Sequence, residues 1–138
     1  MVVAPAYARK RDSVAPLCAA VARPIALLPA HSAPTGIAIY RGSTFPARYA
    51  GGLFVALHGS SFRAPRPPSG FGVMFVPRDS SGAFLEPEAF ADGLRARGRF
   101  LRSRARPSGI AVGRDGAMYV SDDATGRIWR IQYVRDAR

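Results

Sequence analysis

Three side chains that could bind an anion lie next to strand-like segments of this chain. His31 comes just before the phrase Pro34-Thr35-Gly36-Ile37-Ala38-Ile39, and Arg106 immediately precedes the similar phrase Pro107-Ser108-Gly109-Ile110-Ala111-Val112. His58 directly follows an apolar run. Arginine and histidine pair with carboxylates and phosphates, so convergence of these strand ends would form a pocket for a polycarboxylate or phosphate ligand. Taken singly, each histidine is equally compatible with a structural hydrogen bond.

Other patterns that support catalysis or metal binding are scarce. The chain has two histidines, which excludes a multi-histidine metal site. Its one cysteine, Cys18, excludes both an internal disulfide and a cysteine-based zinc site. The pair Asp122-Asp123 lacks the spaced oxygen ligands of a calcium loop and is better explained as an Asx turn. The sequence therefore assigns no catalytic residue and no metal ligand.

The segments that follow the two similar phrases are also alike. Each unit has a Pro-small-Gly strand, a Gly-bearing turn, an aromatic strand, a second turn and a third strand. Repeated units of this kind bury their apolar faces against copies of themselves. The pattern predicts an all-β fold with an irregular lead over residues 1–28 and blade-like antiparallel units over residues 29–93 and 94–133.

These strands must position the three side chains. In radial β-architectures the inner strands line a central funnel, and residues at their ends point into it. The Pro-rich loop over residues 58–69 interrupts ladder pairing and is the place where an insertion would build a binding site. An outermost strand is predicted over residues 84–90 and a short edge strand over residues 25–28. The arginines of residues 94–104 fit either an exposed helix or an edge strand.

Composition and charge limit the possible functions. The chain has 138 residues, of which 48% are hydrophobic, and this content excludes wholesale disorder. Its net charge of +11 would suit a polyanion, but the charges are scattered and almost all are arginines, with Lys10 the one lysine. No nucleic-acid recognition motif accompanies them, so no nucleic-acid partner is expected.

Neither an export signal nor a membrane span is predicted, since Pro16 and Arg23 interrupt the N-terminal apolar stretch.

Four stretches in order resemble one known family. They cover residues 28–36, the His-Gly-Ser run at residues 54–60, the Arg-Pro-Ser-Gly run at residues 106–112, and residues 119–130. Together they are similar to the C-terminal part of the sorbosone dehydrogenase family, which comprises the soluble-type glucose/sorbosone dehydrogenases that use pyrroloquinoline quinone (PQQ). The resemblance extends over residues 15–133.

The resemblance implies a fold and a cofactor site. The family fold is a six-bladed β-propeller with four-stranded antiparallel blades, and this chain would supply about two blades as a partial domain. Family members pass a hydride from an aldose or sorbosone to PQQ, which carries three carboxylates. Arg106 would pair with one of these carboxylates, His31 and His58 would hydrogen-bond the cofactor rim, and Arg63 is a weaker candidate. Calcium is implied for the family, but its ligands and the catalytic histidine base have no counterpart here.

The resulting expectation is a C-terminal fragment of a PQQ-dependent sugar dehydrogenase that contributes cofactor-pocket residues and is inactive alone. Its partners would be the sugar, PQQ and a separately encoded N-terminal portion. Family members are periplasmic or secreted, whereas the lack of a signal peptide here leaves the cytoplasm open. Cys18 resembles one half of a family disulfide.

Two other interpretations of the sequence stay open. The second is a non-catalytic propeller-type binding module, and the third is a basic nucleic-acid-binding protein, which is supported by the arginines of residues 95–106 alone.

Overall fold

A computed structural model of the chain describes residues 19–60, 69–92, 94 and 105–134. It contains two antiparallel sheets, which confirms the all-β prediction. The four-stranded sheet has the strands β1 (Pro34–Ile39), β2 (Leu53–Leu57), β3 (Gly72–Val76) and β4 (Glu88–Ala91) in that order. The three-stranded sheet has the strands β5 (Pro107–Val112), β6 (Met118–Asp122) and β7 (Arg127–Ile131) in that order. Within the described part of the chain, no helix is long and apolar enough to cross a membrane.

Both copies of the repeated phrase open a strand, as predicted. β1 begins at Pro34 and β5 begins at Pro107, and each strand lies at the edge of its sheet. Proline has no N–H to donate, so it is tolerated at the first residue of an edge strand. The two phrases therefore mark equivalent positions in the two sheets.

Two predicted strands differ from the structure. The outermost strand of the first sheet is β4, and Phe84 forms only an isolated bridge to Arg78. Pro87 lies between them and cannot donate to a ladder, which delays the start of the strand. Residues 25–28 form no strand, and Ala26 and Leu28 pack instead on the outer face of the first sheet. Of residues 94–104, all except Leu94 lie outside the described residues.

The strands β2 and β3 are covered on both faces. Phe54, Val73 and Phe75 point toward the second sheet, whereas the outer face carries Leu53 and Val55 among others. All five residues of β2 are buried, so the strand shows no alternation of apolar and polar residues. Such continuous apolar runs are typical of strands that have other elements on both sides.

The core between the two sheets is largely aromatic. Tyr40, Phe54 and Phe75 are each no more than 1% exposed, and Met118 and Val120 of β6 meet them from the second sheet. The Phe54 and Phe75 ring centroids lie 4.8 Å apart. Aromatic side chains bury large apolar areas and stabilise one another in tilted and edge-on arrangements. This core holds the sheets face to face.

β1 and β5 approach each other closely where the sheets stack. A Cβ atom at Gly36 would overlap the carbonyl oxygen of Ser108, so this position has room for glycine alone. The Thr35 hydroxyl donates to the Pro107 carbonyl oxygen at 3.2 Å. The repeated Pro-small-Gly phrase is therefore also where the two sheets touch.

Tyr40 links the two sheets at the other end of β1. Its hydroxyl donates to the carbonyl oxygen of Gly116 at 3.0 Å and accepts from the Phe45 N–H at 3.0 Å. The Thr44 hydroxyl donates to the same Gly116 oxygen at 2.8 Å. Tyr40 is 1% exposed, so these hydrogen bonds are made in the interior.

Asp122 organises the second sheet from within. Asp122 is 2% exposed. Its Oδ1 accepts from the N–H groups of Arg106 at 2.8 Å and Ala124 at 3.1 Å, and its Oδ2 accepts from the Thr125 hydroxyl at 2.6 Å and the Trp129 indole at 3.4 Å. Burial opposes ionisation, but these hydrogen bonds outweigh it and hold the pKa of Asp122 below its ordinary value of 3.8. The Asx turn predicted here is confirmed.

Replacing Tyr40 by phenylalanine is expected to destabilise the protein by about 1–3 kcal/mol, because the Phe45 N–H then lacks its buried acceptor. The measurement is the free energy of unfolding from urea denaturation. Tyr133→Phe is the matched control, since Tyr133 is 48% exposed and its hydroxyl makes no hydrogen bond within the described residues. An equal loss of stability in both variants would contradict the role of the Tyr40 hydroxyl.

Replacing Asp122 by asparagine is expected to lower the stability at neutral pH by about 1–3 kcal/mol, because the amide NH₂ cannot accept hydrogen bonds. The pKa of Asp122 is lower in the folded than in the unfolded state. Its contribution to stability is therefore complete above the unfolded-state pKa and is lost as the pH falls through the folded-state pKa. The free energy of unfolding, followed from neutral to acid pH, should fall more for the wild type than for Asp122→Asn.

Asp92→Asn provides the control for this pH series, because Asp92 is exposed and its carboxylate accepts no hydrogen bond within the described residues. Hydrogen bonds from Ser81 and Arg130 lower the pKa values of Asp79 and Asp115, respectively. These two aspartates also make the stability depend on pH. The quantity to compare is therefore the difference in the free energy of unfolding between each variant and the wild type at each pH. Identical acid sensitivity of the wild type and Asp122→Asn would argue against an ionised buried carboxylate.

Candidate functional site

Strand ends from both sheets meet at one place. Pro34 at the start of β1 pairs with Leu57 at the end of β2, and Pro107 at the start of β5 pairs with Asp122 at the end of β6. The segments just beyond these residues are joined by main-chain hydrogen bonds, such as that from the His58 N–H to the Ala33 carbonyl oxygen at 2.9 Å. We call this place the Arg106 rim and define it by residues 31–33, 58–59, 70–71, 105–106 and 122–123.

The Arg106 side chain lies across the gap between the two sheets. Its Nη1 donates to His58 Nδ1 at 3.3 Å and to the carbonyl oxygens of His58 and Gly59 at 3.4 and 3.2 Å. The guanidinium carbon lies 5.3 Å from the centroid of the Phe71 ring, within the range of a cation–π contact. The main-chain N–H of Arg106 is fixed by the buried Asp122 carboxylate. Arg106 is thus held from both its main chain and its side chain.

His58 connects Arg106 to a second carboxylate. Its Nε2 lies 3.0 and 2.8 Å from the two carboxylate oxygens of Asp123. A guanidinium group has donors only, so Nδ1 must accept from Arg106 and Nε2 must carry the proton that Asp123 accepts. Both ring nitrogens are therefore engaged by protein groups. In this arrangement His58 orients the Arg106 guanidinium.

Two donor atoms of Arg106 stay available. Within the described residues, neither Nε nor Nη2 has a hydrogen-bond partner. These two atoms lie on one edge of the planar group, and such an edge matches the two oxygens of a carboxylate. The Arg106 rim can therefore accept one carboxylate group without losing any of its internal hydrogen bonds.

The backbone around Arg106 is strained. Three non-glycine residues of this rim have positive φ angles: 61° for His31, 49° for Ala33 and 66° for Phe71. Each such residue costs on the order of 1–3 kcal/mol, and strain of this kind clusters at functional sites. The Phe71 ring occupies the space where a Cβ atom of Gly59 would stand. Ser32 adds a buried hydroxyl that has no hydrogen-bond partner within the described residues.

The structure brings together two of the four residues predicted from the sequence. His58 and Arg106 are in contact, as the convergence of strand ends predicts. His31 lies on the same rim, but it is exposed and its side chain makes no hydrogen bond within the described part. Arg63 lies outside the described residues. No group of three or more possible metal-ligating side chains occurs within the described residues.

Sequence reasoning missed two members of this rim. The sequence around Asp123 indicates only a turn, and its partner His58 is 65 residues away, a separation that leaves no local signal. Phe71 follows the Pro-rich loop and resembles any other apolar residue that opens a strand. The one sequence signal for both residues is the predicted meeting of strand ends. It indicates where Asp123 and Phe71 lie, but not which side chains they contact.

Comparison with curated proteins gives one significant relative. It is a protein of Borreliella burgdorferi described as uncharacterized, and it is 35% identical over 109 residues. The match covers 78% of this chain but 28% of the relative. The chain thus spans little more than a quarter of the length of the curated protein that it matches.

Two solved structures are similar to this chain in fold. They are the iodide structure and the calcium structure of Trichoderma reesei Carbohydrate-Active Enzymes Family AA12. Their TM-scores are 0.51 and 0.50, and both are 22% identical to this chain. Each match covers 72% of this chain and 24% of the solved chain. At this identity the similarity shows the fold alone.

The comparison with family models corrects the resemblance drawn from the sequence. The predicted membership of the sorbosone dehydrogenase family is wrong, because the model that matches, over residues 4–134, is the one described as TrAA12-like. The stretches that carry the resemblance cover all of β5 and parts of β1, β2, β6 and β7, and one of them includes Gly36, where the contact between the sheets has room for glycine alone. Since the match covers almost the whole chain, this chain belongs to the TrAA12-like family.

Proposed function

We propose that this chain is part of a PQQ-dependent oxidoreductase that acts on a sugar. AA12 is a family of PQQ-dependent oxidoreductases, and the two solved neighbours are described as carbohydrate-active enzymes. The chain spans 24% of those neighbours and 28% of its curated relative. The rest of a longer protein, joined to this chain or encoded separately, would then complete the enzyme.

The two sheets are proposed to be neighbouring blades of a β-propeller. The first sheet has its four strands in sequential antiparallel order, which is the arrangement of a propeller blade. The two edge strands β1 and β5 contact each other, as the inner strands of adjacent blades would. On the outer face of the first sheet, Ile37 and Ile39 are 63% and 44% exposed. A further blade stacked on this face would cover them.

Arg106 is the observation that carries the cofactor proposal. Its Nη1 is engaged by the protein, whereas Nε and Nη2 have no partner within the described residues. A cofactor with three carboxylates needs this kind of group, and among the described residues no carboxylate forms a salt bridge with Arg106 that would compete. The side chains on this rim therefore fit a PQQ carboxylate.

Each side chain of the rim would have a separate task in holding the cofactor. Arg106 would bind one carboxylate through Nε and Nη2, and the Phe71 ring would support the guanidinium plane. His58 would keep the guanidinium in this orientation, and Asp123 would hold the imidazole in the Nε2–H tautomer. When bound, the quinone supplies the acceptor for the hydride of the sugar C–H bond. No catalytic base is assigned within the described residues, so proton removal would depend on the rest of the enzyme.

Replacing Arg106 by glutamine is expected to weaken PQQ binding at least ~10-fold, because one charge-assisted bidentate contact is worth about 1.5–3 kcal/mol. Arg106→Lys should give an intermediate affinity, since it keeps the charge but loses the two parallel donors. Binding is measured on the purified chain by titration with PQQ, followed through the quinone absorbance.

Arg127→Gln is the matched control for this titration, because Arg127 is exposed and its side chain has no partner within the described residues. Circular dichroism should show that all three variants stay folded. If the wild-type chain does not bind PQQ, or if Arg106→Gln binds as well as the wild type does, the proposed cofactor role of this rim is rejected.

A further inference from the structure

The opposite end of the two sheets holds a polar cleft of about 680 Å³. It lies between the loop that follows β1, at residues 41–44, and the turn that joins β5 to β6, at residues 113–116. β1 has six residues, so at about 3.4 Å per residue this cleft is ~20 Å from the Arg106 rim. We call it the distal cleft, and it is separate from the proposed cofactor site.

The distal cleft is rich in unengaged hydrogen-bond donors. Arg41 and Arg114 both line it, and neither guanidinium forms a hydrogen bond or ion pair within the described residues. The main-chain N–H groups of Arg41, Gly42 and Ser43 likewise donate no hydrogen bond to a described residue. Two guanidinium groups next to free main-chain N–H groups are the arrangement that binds oxyanions in proteins.

Among the described residues that line the distal cleft, Asp115 is the one carboxylate, and it is already paired with an arginine. Asp115 accepts from Arg130 Nη2 at 2.9 Å, from the Tyr119 hydroxyl at 2.9 Å and from the Ala117 N–H at 3.1 Å. The Arg130 hydrogen bond in particular holds the pKa of Asp115 below its ordinary value of 3.8. The charge of Arg130 therefore balances that of Asp115, and as far as the structure describes the chain, Arg41 and Arg114 give the cleft two uncompensated positive charges.

The two walls of the distal cleft are held in a fixed relative position. The hydroxyls of Tyr40 and Thr44, from one wall, both donate to the Gly116 carbonyl oxygen of the other wall. Arg114 belongs to a tight turn that the Gly116 N–H closes on the Gly113 carbonyl oxygen at 3.0 Å. Ligand binding would therefore order side chains and leave the loops where they are, which lowers its entropic cost.

We propose that the distal cleft binds an oxyanion, a carboxylate or a phosphoryl group, carried by a sugar-sized molecule. Arg41 and Arg114 contact the oxyanion, and the N–H groups of residues 42–43 bind its remaining oxygens or the sugar hydroxyls. The cleft volume lies within the range of about 300–1,000 Å³ that small-molecule sites occupy, and it exceeds what a single phosphate ion fills. The proposal does not depend on the cofactor role of Arg106.

The test is a titration of the ¹⁵N-labelled chain followed by amide chemical shifts, with four ligands: glucose 6-phosphate, glucuronate, inorganic phosphate and uncharged glucose. We expect glucose 6-phosphate or glucuronate to shift the amides of residues 41–44 and 113–116 saturably, inorganic phosphate to bind more weakly, and glucose to cause no shift. Arg41→Gln and Arg114→Gln should each weaken binding ~10-fold, the loss expected for one charge-assisted contact.

The controls separate this site from the Arg106 rim. Arg127→Gln and Arg106→Gln should bind the sugar anions as the wild type does, and the Arg41→Gln/Arg114→Gln double variant should bind PQQ with unchanged affinity. Unchanged binding of both sugar anions by a folded double variant would overturn the proposal, as would glucose binding as tight as theirs. If inorganic phosphate binds as tightly as glucose 6-phosphate does, the proposal that the ligand is a sugar-sized molecule is overturned.

Discussion

The close approach of β1 to β5 is the constraint on which the rest of the structure depends. Gly36 permits it, because any side chain there would overlap the Ser108 carbonyl oxygen. With the two edge strands in contact, the sheets face each other and the aromatic side chains between them are buried. The same contact brings the ends of both strands together, with the Arg106 rim at one end and the distal cleft at the other. A side chain at Gly36 would therefore disturb the core and both sites at once.

Charge distribution within this framework explains where the unengaged arginines lie. The chain has 20 basic and 9 acidic side chains, so most arginines have no carboxylate partner available. An excess of this size does not identify a binding site, because exposed arginines are well hydrated. Position distinguishes Arg106, whose main chain is fixed by the buried Asp122 and whose side chain is fixed by His58. Arg41 and Arg114 differ from other exposed arginines because two hydrogen-bonded loops place them on one cleft.

The sequence predicted where β1 and β5 begin, because proline and glycine restrict the backbone locally. It also predicted that His58 and Arg106 meet, because both stand at strand ends on the same edge of the paired sheets. It did not predict the His58–Asp123 contact, since pairing across two sheets depends on how their edges stack. Nor did it predict that Pro87 delays β4. The family was misassigned for a related reason. The first Pro-small-Gly phrase lies where β1 and β5 touch, and only glycine fits at position 36, so such a phrase reports the contact between the sheets and does not by itself identify the family.

The two outer faces of the sheet pair are chemically different, and this difference bears on how a larger propeller would be held together. The first sheet presents the exposed Ile37 and Ile39 to solvent, whereas the second presents the hydrogen-bonded pair of Tyr119 and Arg130 together with one exposed isoleucine, Ile128. Removing apolar surface from water is favourable by about 25 cal/mol of free energy per Å². Polar groups, in contrast, must keep their hydrogen bonds when they are covered. In the proposed propeller, burial of apolar surface therefore dominates the contact between the first sheet and its outer neighbour. A neighbour on the side of the second sheet must also provide hydrogen-bond partners for the polar groups there.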